Sequence, residues 1–139
     1  MAGGKVTGKN AVIAIDDSGG TPRTLSTAAN SYTIAIDSGK IDVTGFSEGT
    51  VNFTPGLPTH ALTLALKFDS TATTGAFTVL NGIRSSATSK TVTITPETGG
   101  PVYSGEFLLD NLNVSATPTG GIEMQVAFSV MGGTAPAWA

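Results

Sequence analysis

The stretch from His60 to Phe68 alternates without interruption. Leu62, Leu64, Leu66 and Phe68 fall on one phase, and Ala61, Thr63, Ala65 and Lys67 fall on the other. Successive side chains of a strand point to opposite faces, so this period of two predicts a strand with one buried face. The pattern recurs in Ser31–Asp37, where Tyr32, Ile34 and Ile36 share a phase. It recurs again from Ile122 to Met131, where Ile122, Met124, Val126, Phe128 and Val130 do. Ala11–Ile15, Thr91–Thr95, Val102–Asp110 and Leu112–Thr117 read as further strands, the last two separated by a break at Asp110-Asn111. Asp16-Asp17-Ser18-Gly19-Gly20, Ser38-Gly39-Lys40, Gly99-Gly100-Pro101 and Thr119-Gly120-Gly121 carry turn chemistry between them. Thr21–Asn30 is polar and irregular.

One segment departs from this pattern. Asp69-Ser70-Thr71 offers capping oxygens, and Phe77, Leu80 and Ile83 follow at three-residue steps. A single helix over about residues 72–85 is predicted, weakened by Gly75 and Gly82. The expected fold is mainly β, an antiparallel sandwich or barrel with one flanking helix. Residues 1–10 are expected to form a flexible arm, 11–132 one β domain and 133–139 a tail. A chain of 139 residues suits one domain that buries roughly two-thirds of its unfolded surface.

Between the second strand and His60 lies a turn at Asp42-Val43-Thr44, then an arm, Glu48–Thr54, with weak alternation through Val51 and Phe53. Pro55 and Pro58 close it. Proline cannot donate to a ladder, so these residues mark an edge or a loop.

The chemistry-bearing residues are sparse. Gly45-Phe46-Ser47-Glu48-Gly49 matches the nucleophile-elbow spacing, but the only histidine is His60, and no acid lies between Glu48 and it. The strand–turn–helix setting is missing too, so the match reads as accidental. One imidazole and no thiol do not make a zinc site. Asp16-Asp17 lacks the spacing of a calcium loop. No catalytic, cofactor-binding or metal-binding residue is assigned, and an enzyme is not expected.

Charged residues make up 12% of the chain, and the formal net charge is −3 with no basic cluster. Specific nucleic-acid binding needs Lys and Arg to neutralise phosphates, so it is not expected. No apolar run approaches the length of a membrane helix, and the N-terminal residues lack a signal-peptide apolar region. Without that signal, Asn52-Phe53-Thr54 and Asn113-Val114-Ser115 are chance matches to the glycosylation sequon.

Low charge has a further consequence. The second phase of four strands is small and nearly neutral: Thr33/Ala35, Thr63/Ala65, Thr91/Thr93/Thr95 and Gln125/Ala127/Ser129. An ordinary solvated face carries more Lys and Glu. On periodicity alone, a Thr-rich exposed sheet and a surface that something slides past fit equally well.

The order of motifs is more specific than any one of them. Ile41-Asp42-Val43-Thr44, then Phe53-Thr54-Pro55-Gly56-Leu57, then the alternating strand Leu62 to Asp69 resembles the major tail tube proteins of long, non-contractile phage tails. Phe77-Thr78-Val79-Leu80 resembles that family's single helix, and Phe128-Ser129-Val130-Met131-Gly132 its final strand. The likeness spans most of residues 11–132.

The resemblance implies a viral structural protein of the virion, assembled in the host bacterial cytoplasm. It implies homohexameric rings stacked into a tube, with neighbouring sheets joined into one barrel. It implies a tape-measure protein and then transiting DNA in the lumen, terminator and tail-tip proteins at the ends, no membrane and no cofactor. The small neutral faces would line the lumen: Thr33, Ala35, Thr63, Ala65, Lys67, Thr93, Glu123, Gln125 and Ala127. Glu48, Val51, Asn52, Phe53 and Pro55 would form the arm that reaches the next ring. The alternatives are a capsid decoration or head–tail terminator protein of similar fold and, further off, a carbohydrate-binding sandwich.

Overall fold

Most residues of the apolar phases read from the sequence meet in one core in the computed structural model, which describes residues 8–84, 86–132 and 134–139, while Ile36, Ile122 and Val130 at the strand ends stay exposed. The strands in chain order are β1 (Val12–Asp16), β2 (Pro22–Thr24), β3 (Ala29–Asp37), β4 (Lys40–Asp42), β5 (Phe53–Pro55) and β6 (Thr59–Lys67). After helix α1 (Ala76–Ile83) come β7 (Lys90–Thr95), β8 (Tyr103–Ala116), β9 (Ile122–Val130) and β10 (Ala137–Trp138). One antiparallel sheet runs β2-β1-β7-β8-β9-β6-β3, with β10 paired to the start of β8. β4 and β5 form a separate two-stranded sheet.

The long strand β8 joins two half-sheets. Its first part, Tyr103–Phe107, pairs with β7, and its second part, Phe107–Ala116, pairs with β9. Ile13, Ile15, Val92, Ile94 and Tyr103 from one half share a single core with Leu62, Leu64, Leu66, Met124, Val126 and Phe128 from the other. The sheet is therefore curled on itself, open between its edge strands β2 and β3. Leu25 helps close it: its N–H donates to the Ile13 carbonyl at 2.8 Å, and its side chain is buried.

α1 buries Ala76, Val79, Leu80 and Ile83, an i, i+3, i+4, i+7 stripe. Phe77 stacks on Phe68 with ring centroids 4.7 Å apart.

Several expectations need correction. The helix starts at Ala76, four residues later than expected, and the end expected at Ser85 lies outside the described residues. Asp69 does not cap it. The Asp69 carboxylate accepts from the hydroxyl and N–H of Thr71, at 2.6 and 3.0 Å, and closes a compact loop instead. Gly75 fits because a Cβ there would meet the Asp69 carbonyl at 2.5 Å. The break at Asp110-Asn111 is a bulge inside one continuous strand. The inward phase passes from Tyr103, Phe107 and Leu109 to Leu112 across the extra residue Asp110, whose carboxylate accepts from Ser129. Within Thr21–Asn30, Pro22–Thr24 pair with β1.

The termini hold more structure than the sequence suggests. Gly8–Asn10 make a short 3-10 turn, while residues 1–7 of the expected arm lie outside the described residues. Of the closing segment, Gly133 lies outside them as well, and Ala137–Trp138 pair with Tyr103 and Ser104. Trp138 lies 5.2 Å from the ring of Tyr103, whose hydroxyl is 3.0 Å from His60 Nδ1. Burial of Tyr103 raises its pKa above the ordinary value.

Candidate assembly and channel surfaces

Strand register decides which small residues stand together. Thr33, Thr63, Ala127 and Asn111 are successive partners across β3, β6, β9 and β8. Ser31, Ala65, Gln125 and Asn113 form the next row, and Lys67, Glu123 and Ser115 a third row across β6, β9 and β8. On the other side, Ala35, Ala61, Ser129 and Leu108 make a fourth. The two central rows line a shallow groove of about 340 Å³. The third row carries Lys67 and Glu123, which pair with each other, and the Asp110 carboxylate accepts from Ser129 of the fourth row.

Eight of the nine residues expected on a lumen surface are thus brought onto one face: Thr33, Ala35, Thr63, Ala65, Lys67, Glu123, Gln125 and Ala127. Thr93 is not. It lies on β7, which pairs with the first part of β8 and not with β9 or β6. Sequence reasoning missed Asn111, Asn113, Ser115 and Ser31. The first three became legible only through the phase change at Asp110, the visible signature of the bulge.

The half-sheet that carries this face is unpaired at both sides among the described residues. β3 pairs only with β6. Leu108–Ala116 of β8 pair with β9 on one side and with nothing on the other. Antiparallel pairing alternates the chain direction across the four strands, so these two free edges run in opposite directions.

The expected arm takes a different form. It is a hairpin, not an extended segment: Lys40, Ile41 and Asp42 pair with Pro55, Thr54 and Phe53. Pro55 is tolerated because a two-stranded sheet leaves outer N–H positions unpaired. Glu48 lies in the tip turn, where its carboxylate accepts from the Gly45 N–H at 2.9 Å and from Asn52. The Asn52 N–H donates to Thr44 Oγ1 at 2.8 Å, and Val43 N–H to the Asn52 carbonyl at 3.0 Å. Thr44, by its hydroxyl and its N–H, holds the Asp42 carboxyl below the ordinary carboxylate range. The tip is therefore ordered by its own hydrogen bonds.

No residue from Lys40 to Pro55 is buried or even half-buried. Of the twelve exposed large apolar side chains among the described residues, Ile41, Val43, Phe46, Val51, Phe53 and Leu57 lie on the hairpin or its foot. Phe46 is 112% exposed, as open as an isolated residue. Sequence reasoning named Val51 and Phe53 and passed over Phe46, which it had absorbed into the accidental elbow motif.

Among the described residues no group of three or more His, Cys, Asp or Glu is placed to hold a metal. No helix of the described residues is long and apolar enough to cross a membrane.

A curled antiparallel sheet with one flanking helix and a projecting hairpin defines a fold class seen in phage tails. The chain superimposes on the tail of an empty gene transfer agent particle, solved with C6 symmetry, with a TM-score of 0.77 and 17% identity, covering 97% of this chain and 99% of that one. It is similar to the SPP1 tail tube, with a TM-score of 0.75 and 8% identity over 96% of this chain and 78% of the other. A sheath/tube terminator of an extracellular contractile injection system gives a TM-score of 0.67 and 12% identity, covering 100% and 99%. The chain has the tail-tube fold. No protein-family model and no curated protein sequence matches it.

Proposed function

We infer that the chain is a structural, non-enzymatic subunit of a phage-type tail tube. Six copies form a ring, and rings stack into a hollow conduit. One observation carries this reading. The four-stranded half-sheet β3-β6-β9-β8 has two oppositely directed free edges and one face of small, neutral side chains. A β3 edge meeting the β8 edge of a second copy continues the sheet antiparallel, and repetition closes it into a barrel. That closure removes every exposed edge of the half-sheet. It also turns one face of each subunit to a common bore. The central rows of that face are Thr, Ser, Ala, Asn and Gln, and its one cation along the rows, Lys67, is already paired with Glu123.

Six copies at −3 each carry about −18, which repels DNA and lets it pass without binding. The bore would hold a tape-measure protein before DNA leaves, and terminator and tail-tip proteins would close the ends. Assembly would take place in the host bacterial cytoplasm. The apolar hairpin, with Val51, Asn52, Phe53, Pro55 and Glu48 as first proposed and Phe46 added, would reach the next ring. The sixfold tail of the gene transfer agent particle supports the ring number.

The terminator likeness favours a second reading, a single capping ring. Electron microscopy of the concentrated protein separates the two. The tube reading expects open-ended tubes of uniform bore. Single rings that never stack would support the terminator, and monomers at every concentration would contradict both.

A further inference from the structure

We propose that Phe46, at the hairpin tip, inserts into a cavity at the opposite end of a second copy of this chain. The inference rests on the stacked-ring reading and identifies the surface that receives the hairpin.

The hairpin leaves the body where β3 ends, at Asp37, and returns where β6 begins, at Thr59. The other end of β3, Ala29–Tyr32, opens onto a cavity of about 470 Å³. Ala11, Ile13, Ala29 and Tyr32 give it an apolar wall, and Lys9, Ser26, Ser31 and Asn30 a polar one, with the Asn30 amide donating to Glu123 at 3.5 Å. A nine-residue strand spans roughly 30 Å, so no subunit can place its own tip in its own cavity without folding back along the strand. Every residue from Lys40 to Pro55 is exposed, and Phe46 at the tip is entirely so, which shows that the hairpin does not fold back.

Knob and hole therefore occupy opposite ends of the same strands. Such an arrangement is satisfied head to tail between copies, and a head-to-tail contact directed along the strands, which does not close on itself, repeats from ring to ring. An enclosed apolar cavity of roughly 150 Å³ already admits benzene, so by size alone a phenyl ring fits against the Ala11, Ile13, Ala29 and Tyr32 wall. Charge agrees in sign: the hairpin beyond Lys40 carries Asp42 and Glu48 and no cation, whereas the cavity is lined by Lys9. The hydrogen-bonded tip presents Phe46 already ordered, which lowers the entropic cost of insertion.

The chain has no cysteine, which permits a clean cross-linking test. Phe46→Cys and Asn30→Cys subunits, mixed in equal amounts and allowed to assemble, are oxidised and run without reductant. The expected result is a mixed disulfide dimer in assembled tubes that is absent when either variant is alone. Phe46→Ala, folded by circular dichroism, is expected to form rings but lose stacking. A mixed disulfide with Val114→Cys in place of Asn30→Cys would overturn the assignment, as would normal tubes from Phe46→Ala. So would an Asn30→Cys thiol in the free subunit that resists alkylation until residues 1–7 are removed, since the cavity would then be filled within the subunit. Wild-type protein that forms no ring would instead remove the tube reading itself.

Discussion

The groove face and the hairpin are both exposed, yet their surfaces are opposites. Across four strands the groove face shows Thr, Ser, Ala, Asn and Gln, with the Lys67–Glu123 pair toward one end and the Asp110 carboxylate toward the other. The hairpin shows Ile41, Val43, Phe46, Val51 and Phe53 on both strands and at the tip, with Leu57 at its foot. Large apolar side chains left in water mark surfaces that something covers. Small neutral ones give a passing partner nothing to hold. Under the proposed assembly, the hairpin is built to be buried and the groove face to stay wet. Half of the exposed large apolar side chains among the described residues are gathered on this one projection, the hairpin and its foot.

The contrast breaks most completely if the sheet edges are blocked. Ile36 and Val114 sit on the two free edges and are both about half exposed, so a charge is tolerated by the fold at either. Ile36→Lys or Val114→Lys is expected to abolish rings and leave a folded monomer in light scattering, because an edge charge opposes strand addition. Rings at normal yield would show that these edges are not the joints.

Stability separates the two regions next. Leu64 is 2% exposed beneath the groove face, and Leu64→Ala should cost about 2–5 kcal/mol in denaturant unfolding of the subunit. Val51→Ser on the hairpin should change it by no more than about 0.5 kcal/mol. Equal losses would mean that the hairpin supports the core.

Ala65→Arg probes the wet surface. In the proposed ring it would set six guanidinium groups around the bore, able to hold the phosphates of DNA that the proposed conduit would let pass. Subunit stability should change little, while DNA release from particles carrying the variant slows relative to Ala65→Ser. Release at the rate of Ala65→Ser would remove this face from the bore.

The smallest effect concerns pH. Hydrogen bonds from Thr44 lower the Asp42 pKa from its ordinary 3.8, so the order they give the hairpin tip is present above that pH and fades below it. NMR shifts of Thr44 and Asn52 should move together as pH falls below 3.8, before the core responds. Asp17, held low by the Thr21 N–H and Arg23, and Asp69, held low by Thr71, titrate in the same direction within body loops.

Much of the groove was legible because a period of two is the most direct signal a sequence carries. Leu62, Leu64 and Leu66 predicted their own burial and, by exclusion, the outward position of Thr63 and Ala65. What alternation cannot give is which outward faces coincide. Thr93 shares the composition of Thr63, yet β8 carries it into the other half-sheet. Asn111 and Asn113 were obscured because a one-residue bulge reverses the phase within a strand. The hairpin was legible as a projection from its prolines and position. Its shape was not, since side-chain bonds from Glu48, Thr44 and Asn52 fold the tip and leave no periodic trace. The helix start was misplaced for a similar reason. The Asp69 carboxylate binds Thr71 two residues away, closing a loop where a cap was expected.

The central claim is that β3 of one copy joins β8 of the next and turns the groove face inward. A cryo-electron microscopy reconstruction of the assembled protein, at a resolution that separates strands, tests it most directly. The account predicts a continuous barrel with backbone hydrogen bonds between β3 and Leu108–Ala116 of the neighbour, and Thr63, Ala65, Gln125 and Asn113 on the inner wall. A tube with those four residues on its outer surface, or with the two edges apart, would contradict it.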